Sequence, residues 1–459
     1  SVCDASSTQT QTDAADTNGD TAIQLAIKYG HTACAQLLIN ANANLERFHS
    51  RDWLWIPRNH NTAGVRLTVD ADADQGTDGH SFQMSALMLC ARFGNIELAR
   101  LLVNANACID MRDFCGRSAL RIAAEFGHLE CVQLLFDAKA DINSRDWKSD
   151  ETALISAAEN GRAACVELLL RLNADVHIRD RHGYSALMWA ARNGLIACVK
   201  LLINARTDVR LRTEDGRSAA LMAAENGHFA CLQALMKAKA DIHVADDYGR
   251  TALMVSVKYG HAQCVRLLCD AKADVHARFR IDGRTVLMMA EYESAECVQL
   301  LLDAKADIHA KDRFGKTALI CACEHGNAAG ARVLVEAKAG IHAKCGLCGS
   351  TALLWALTHA HIECAKLLLD AKADIRVKNK DGNTALILAA LQVDSACVQL
   401  LVDAKADVRA RNHNGDTALI AAAQRGNTEC VRILIDAKAD LNARNTNNNE
   451  TALLLAVRV

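Results

Sequence analysis

Residues 241–274 read DIHVADDYGRTALMVSVKYGHAQCVRLLCDAKAD, and versions of this stretch return along almost the whole 459-residue chain. The Thr or Ser before its Ala-Leu pair marks the register. This residue recurs mostly every 32–34 residues, at Thr21, Ser85, Ser118, Thr152, Ser185, Ser218, Thr251, Thr285, Thr317, Thr351, Thr384, Thr417 and Thr451. A constant period of this size predicts a stack of identical supersecondary units, each in contact with its neighbours.

One unit can be interpreted residue by residue. The stretch 246–250 combines acidic residues with Gly249, which is typical of a turn. Thr251 is placed to cap the N-terminus of a first helix, and Gly260 to end it. The apolar pairs after Gly260 recur at helical spacing and predict a second helix. Helices this short are not stable alone, so each unit must bury its faces against the next.

The repeat resembles that of the ankyrin family, whose first helix starts with Thr-Pro-Leu-His. Here the signature is written as in 317–320, Thr-Ala-Leu-Ile, with Ala for Pro and an apolar residue for His. The resemblance implies an all-α ankyrin-repeat solenoid of about thirteen helix-turn-helix repeats with β-turn or hairpin fingers, plus a truncated last repeat. It also implies that the family's C-cap Gly is replaced here by Lys, as in Lys305. A Lys in left-handed conformation there would cost about 1 kcal/mol.

The domain organisation follows from the register. We expect residues 1–16 to be a disordered tail and 17–459 to be a single solenoid. The double spacing from Thr21 to Ser85 hides a degenerate repeat over 46–83, which contains the only proline, Pro57. The last repeat, 446–459, is incomplete and exposes apolar surface. We therefore expect that the chain continued in its parent protein, or that a partner covers this end.

Composition excludes several classes of function. The net charge is −2, without the basic excess that nucleic-acid binding needs. The sequence contains no run of 18 apolar residues, so it predicts no membrane-spanning helix. There is no phosphate-binding Gly loop and no catalytic motif, so we expect no enzyme and no cofactor. We expect a monomer in the cytoplasm or nucleus that contacts neither nucleic acid nor the membrane interior.

Nineteen cysteines are the most unusual part of the composition. Ten share one slot of the repeat and are predicted to be small buried residues, too far apart to pair: Cys34, Cys131, Cys165, Cys198, Cys231, Cys264, Cys297, Cys364, Cys397 and Cys430. So many unpaired thiols favour a reducing compartment. Cys345 and Cys348 form a CxxC in a turn, with Cys321 and Cys323 upstream, which leaves open a zinc or redox role.

The resemblance also predicts where a partner binds, because ankyrin-like repeats use the turn tips and the solvent-facing ends of the first helices, on one concave side. Aromatic residues alternate with Arg there, a composition that protein hot spots prefer. The predicted contact surface lies within 90–330 and comprises Phe93, Phe114, Arg117, Phe126, Trp147, Tyr184, Arg192, Arg217, Tyr248, Arg250, Tyr259, Arg284, Tyr292, Phe314 and Lys316. Trp189 and Trp355 are predicted to pack in the core instead.

The preferred interpretation is a non-catalytic scaffold that binds a partner protein through the concave face and turn tips. Two alternatives stay open. The chain could be the targeting or regulatory repeat region of a larger enzyme or membrane protein. It could also be a metal- or redox-responsive protein that uses the CxxC at 345–348.

Overall fold

The computed structural model describes Ala22, Ala26 and residues 31–40, 85–290 and 294–457. The predicted tail 1–16, the degenerate repeat 46–83 and Tyr292 lie outside the described residues. Within them the chain forms 23 α-helices and one 3₁₀ helix, with isolated antiparallel bridges and no strand. The prediction of an all-α repeat architecture is therefore confirmed.

The chain divides into two compact units, one of Ser1–Ala219 with Ala234–Ala240 and the other of Ala220–Gln233 with Asp241–Val459. Helices of the first unit are α1 (Thr32–Asn40), α2 (Ala86–Phe93), α3 (Ile96–Asn104), α4 (Ala119–Phe126), α5 (Leu129–Asp137), α6 (Ala153–Glu159), α7 (Ala163–Arg171), α8 (Ala186–Arg192) and α9 (Ile196–Asn204). The division between the units runs through α10 (Ala219–Glu225) and α11 (Phe229–Lys237).

The second unit continues the same pattern. Its helices are α12 (Ala252–Lys258), α13 (Ala262–Asp270), the 3₁₀ helix η1 (Val286–Met289), α14 (Ala295–Asp303), α15 (Ala318–Glu324), α16 (Ala328–Glu336), α17 (Ala352–Thr358), α18 (Ile362–Asp370), α19 (Ala385–Leu391), α20 (Ser395–Asp403), α21 (Ala418–Gln424), α22 (Thr428–Asp436) and α23 (Ala452–Ala456). Leu453, Leu454 and Val457, in and just after α23, are exposed.

In each unit the first helices of consecutive repeats pack in one row and the second helices in another. In the first unit α4 contacts both α2 and α6, and in the second unit α19 contacts both α17 and α21. The first helices are buried on almost all sides, as the Ala-Leu-x-x-Ala-Ala pattern requires, whereas the second helices bury one stripe. The core therefore lies between the two rows, and the turns before the first helices lie at its edge.

The predicted N-caps form at most of the first helices, whereas Thr317 and Thr351 make no side-chain cap hydrogen bond. The hydroxyl of Thr152 accepts a hydrogen bond from the Ile155 N–H at 3.3 Å, and that of Thr417 from the Ile420 N–H at 3.3 Å. A second device fixes the loop between the two helices of a repeat. Gly94 has φ +71°, and a Cβ there would lie 2.3 Å from the His128 ring of the next repeat, so only Gly fits.

One repeat departs from the predicted two-helix form. After Thr285 the first helix is the 3₁₀ helix Val286–Met289. Thr285 and Thr317 are 32 residues apart, whereas most neighbouring repeats are 33 or 34 apart, so this repeat is also shorter than most.

The Lys residues of the Ala-Lys-Ala-Asp phrase adopt the predicted left-handed conformation. Their φ angles lie between 60° and 70° at Lys139, Lys239, Lys272, Lys305, Lys338, Lys372, Lys405 and Lys438. Asn occupies the same slot at Asn106 and Asn173, also with positive φ. The slot thus carries backbone strain wherever Lys stands in it.

Lys305→Gly should stabilise its repeat by about 1 kcal/mol, because Gly adopts positive φ without the Cβ clash. The measurement is amide hydrogen exchange in α14, where protection should increase. Lys305→Ala is the matched control, since it removes the charge and keeps the Cβ, and it should give no gain. Equal protection in the two variants would assign the effect to charge and contradict the backbone explanation.

Candidate functional site

The turn before most first helices forms a tip that is organised by one polar side chain. In the first unit Asp113 Oδ1 accepts the backbone N–H groups of Cys115 at 3.0 Å and Arg117 at 2.8 Å. In the second unit Asp246 Oδ1 accepts those of Tyr248 at 3.1 Å and Arg250 at 2.8 Å. The carboxylate satisfies the backbone donors of the tip, so the tip is a fixed structure.

Neighbouring tips are joined by backbone hydrogen bonds within each unit. In the first unit the Trp147 N–H donates to the Cys115 carbonyl at 3.1 Å. In the second unit Lys380 donates to Cys348 and Thr446 to Asn414, both at 2.8 Å. These bonds hold consecutive tips in a row. We call the tips and the C-terminal ends of the first helices, within each unit, the tip surface.

Most of the predicted aromatic contact residues lie exposed on the tip surface. In the first unit Phe114 is 70% exposed and Trp147 63%, and Phe93 is also exposed. Tyr248, Tyr259 and Phe314 are exposed in the second unit. Phe126 and Tyr184 are partly exposed. Large apolar side chains in these positions are not needed by the core, so they are available to a partner.

The predicted cationic residues of the tips are engaged within the chain. Arg117 Nε contacts Asp113 Oδ2 at 2.7 Å, and Arg250 Nε contacts Asp246 Oδ2 at 2.6 Å. Arg284 Nε contacts Asp282 Oδ2 at 2.6 Å. Lys316 Nζ lies 2.7 Å from Glu324 Oε1. Their charges are thus largely neutralised by the carboxylates of their own repeats.

The other two predicted arginines contact aromatic rings. The Arg192 guanidinium lies 5.8 Å from the Tyr184 ring centroid and 5.2 Å from that of Trp189. Arg217 Nη1 donates to the Tyr184 hydroxyl at 3.3 Å. These contacts bring Tyr184, Trp189 and Arg192 together at the surface of the first unit, as a cluster that fixes the ring orientations.

The prediction that Trp189 and Trp355 pack in the core is wrong. Both are partly exposed. The Trp189 Nε1–H donates to Asp180 Oδ2 at 2.8 Å, and its ring lies 4.9 Å from that of Tyr184. The Trp355 ring lies 4.2 Å from Lys316 Nζ and stacks on His359. In other first helices Ile122, Met222 and Val255 occupy the same slot and are buried, whereas the larger indoles reach the tip surface and add to it.

A buried ionic network escaped the sequence interpretation. Arg121 stands in α4 where the corresponding first helices carry Met, Ile or Leu, and it is buried. Its guanidinium contacts Glu151, and its Nε lies 3.2 Å from Asp146 Oδ2. Ser156 Oγ donates to Glu151 Oε2 at 3.2 Å. The sequence signal for this network was one Arg at a position that is apolar in the corresponding first helices.

Arg121→Met should destabilise the contact between α4 and α6 by about 3 kcal/mol, because Glu151 and Asp146 would stay buried without their cation. Hydrogen exchange of the α4 amides measures this loss. Arg266→Met is the matched control, since Arg266 and Glu296 form an exposed pair at 2.8 Å, and α13 should change by less than about 0.5 kcal/mol. Equal effects of the two changes would contradict a role for burial.

The shared cysteine slot behaves as predicted at nine of its ten positions, which are buried. Cys34 in α1 is exposed instead; its helix precedes residues 41–84, which are outside the described range. Burial raises the pKa of the thiols of Cys131, Cys165, Cys264 and Cys430 to about 11. Such thiols stay protonated at neutral pH and act as small apolar residues.

These pKa shifts predict alkaline destabilisation. The ordinary thiol pKa is 9.0, and that of Cys165 in the folded chain is about 11. The contribution of this buried thiol to the free energy of unfolding is fully present below pH 9. It falls between pH 9 and 11, because the unfolded chain releases this proton first. In urea unfolding followed by circular dichroism, Cys165→Ala should make the decline less steep. Cys108→Ala, which changes an exposed thiol, should leave it unchanged. An unchanged decline in Cys165→Ala would contradict the assignment.

The turn at 345–348 does not form a metal centre with its upstream cysteines. Cys321 and Cys323 are buried in α15, and Cys345 donates its S–H to the Phe314 carbonyl at 3.3 Å. Across 31–40, 85–290 and 294–457, no group of three or more His, Cys, Asp or Glu side chains is arranged to hold a metal ion. The zinc version of the CxxC alternative therefore has no support in this part of the chain.

The recurrent Gly-His pairs have a structural role. His128 Nε2 lies 2.9 Å from the Arg92 carbonyl, and His261 Nε2 lies 2.9 Å from the Glu225 carbonyl. In both cases the imidazole bonds to the end of the preceding repeat's first helix, over Gly94 at His128 and over Gly227 at His261. Burial lowers the pKa of His261. These histidines therefore have a structural role, as their recurrence predicts.

The chain belongs to the ankyrin-repeat family. The family model described as ankyrin repeats in three copies matches residues 54–146, 147–213, 194–279, 274–345, 337–412 and 387–459. The single ankyrin repeat model matches residues 18–48. No curated protein matches the chain. Ankyrin repeats generally mediate protein–protein interactions and are typically non-catalytic. No helix in the described residues is both long and apolar enough to cross a membrane.

Proposed function

We propose that the chain is a non-catalytic scaffold that binds a partner protein through its tip surface. The observation that carries this proposal is the row of exposed aromatic side chains on fixed tips, above all Phe114 and Trp147 in the first unit. In the second unit Tyr248 and Phe314 have the same placement. Aromatic side chains on a rigid support lose little entropy on binding and are preferred at hot spots.

The ion pairs of the tips restrict the chemistry of the partner. Because Arg117, Arg250, Arg284 and Lys316 are paired with carboxylates of the chain, they offer little net charge to an acidic ligand. The accessible groups are aromatic faces and edges. The partner surface should therefore present apolar or aromatic side chains, and binding should depend only weakly on salt.

The proposal includes a monomer in a reducing compartment, cytoplasmic or nuclear, without nucleic-acid binding. The cysteines in the described ranges form no disulfide bonds, which supports the choice of compartment. The near-neutral charge supports the absence of nucleic-acid binding.

Affinity capture on the immobilised chain, followed by quantitative mass spectrometry, tests the proposal. Phe114→Ser with Trp147→Ser, or Tyr248→Ser with Phe314→Ser, should weaken capture of the specific partner. Loss of one hot spot costs about 2 kcal/mol, or roughly thirtyfold in affinity. Capture should persist when the salt concentration is raised.

Ile435→Ser is the matched control, because Ile435 is an exposed apolar residue on the second helix α22 and away from the tips. It should retain the partner. An equal loss of partner capture in the control and the tip variants would indicate nonspecific hydrophobic binding. Full capture by both tip variants would place the binding surface elsewhere and contradict the proposal.

A further inference from the structure

The tip at 345–349 differs from most other tips in the residue that organises it; the tip at 279–283, with Phe279 in the same slot, is a second exception. Nine described tips have an oxygen-bearing side chain in this slot that accepts backbone N–H groups: Asp113, Asp146, Asp180, Thr213, Asp246, Asp312, Asn379, Asn412 and Asn445. Cys345 stands in the slot here, and its thiol donates to the Phe314 carbonyl instead. The usual polar anchor is replaced by a thiol, and the same tip carries a second one, Cys348.

We propose that Cys345 and Cys348 form a reversible dithiol–disulfide site that exchanges with low-molecular-weight disulfides such as glutathione disulfide. The proposal is separate from partner binding, since it concerns covalent chemistry at one tip of the second unit.

The backbone places the two thiols within reach of each other. The Gly349 N–H donates to the Cys345 carbonyl at 2.8 Å, which folds 345–349 into a tight turn. This i to i+4 bond closes one helical turn, in which the first and fourth Cα atoms lie about 5 Å apart, and a disulfide needs Cα atoms about 4.4–6.8 Å apart. The Cys345 side chain is also close enough to Cys348 to help lower the pKa of the Cys348 thiol. Closing the S–S bond thus needs little movement of the backbone.

The two thiols differ in access, which gives each a separate part in the exchange. Cys345 is only 2% exposed, whereas Cys348 is partly exposed. Burial would raise the pKa of the Cys348 thiol, but hydrogen bonds with Ser350, the neighbouring Cys345 side chain and the charge of Lys316 outweigh it and lower that pKa. The thiols of the buried cysteine slot show the opposite shift. Cys348 is therefore the accessible nucleophile.

The exchange takes two steps. The Cys348 thiolate attacks one sulfur of glutathione disulfide, forms a mixed disulfide and releases one glutathione thiolate, which takes up a proton. Cys345 then loses its thiol proton, and its sulfur attacks Cys348 Sγ. This forms the Cys345–Cys348 bond and releases the second glutathione, which leaves as the thiol with that proton. Two protein thiols are oxidised and one glutathione disulfide is reduced to two glutathiones.

The tip can keep its place when the bond closes, because its links to neighbouring tips use backbone groups. Lys380 donates its N–H to the Cys348 carbonyl and its ammonium to the Gly346 carbonyl, each at 2.8 Å. The Gly346 N–H donates to the Phe314 carbonyl at 2.8 Å. Oxidation removes the S–H bond to that carbonyl and leaves these three in place. The reaction is thus local and can be reversed by a thiol.

Treatment of the full chain with glutathione disulfide, followed by alkylation, proteolysis and mass mapping, tests the proposal. The peptide with Cys345 and Cys348 should become lighter by two hydrogens and resist alkylation until a thiol is added. Cys115 is an internal control, because it is a partly exposed cysteine in a tip of the first unit with no second cysteine in that tip. It should accumulate the glutathione adduct.

Two variants separate the steps. Cys345→Ser should retain glutathione on Cys348 at a level at least about tenfold above the wild type, because the intramolecular displacement is lost. Cys348→Ser should leave Cys345 unmodified. Thermal unfolding of both variants checks that the fold is kept. The proposal is overturned if wild type and Cys345→Ser carry equal adduct on Cys348, or if Cys348 reacts no more than the buried Cys165.

Discussion

The structure depends on helices that are too short to exist alone. The first helices run for four to eight residues and the second for nine. Isolated helices of this length are unstable in water, so each must be covered by the helices before and after it. The Ala-rich first helices allow this close approach, since small side chains let backbones pack near each other. Burial of each repeat by its neighbours is therefore the source of the order in both units.

That constraint divides the residues of each repeat into two groups. Leu154, Ile155 and the residues at the same positions of the other repeats are fixed by packing, so similar residues recur in every repeat. The side chains of the tips are not needed for packing between repeats, so their identities vary. Their shape comes instead from a carboxylate or amide that accepts the tip's own N–H groups, as at Asp113 and Asp246. Fixed tips with variable, exposed side chains are the property that a binding scaffold needs.

The positions where the repeat pattern breaks are the ones that carry individual chemistry. Arg121 replaces an apolar residue and forms a buried ionic contact between repeats. Cys345 replaces a tip carboxylate and brings a second thiol within reach. Trp189 and Trp355 stand where other first helices have buried residues such as Ile122, and both are partly exposed. In a repetitive chain the common residues define the architecture, and the exceptions show where one repeat differs from the rest.

The sequence by itself determined the repeat, its register, the caps at Thr152 and Thr417, the strained Lys slot and the exposure of Phe114 and Trp147. These features arise from local backbone preferences and periodic burial, which are the same in every copy. Only the tertiary structure decided the partners of the tip cations, the 3₁₀ helix after Thr285, the network around Arg121 and the surface position of the two tryptophans. Those outcomes depend on side chains from the next repeat, and a periodic pattern records only that a neighbour exists, not which group it presents.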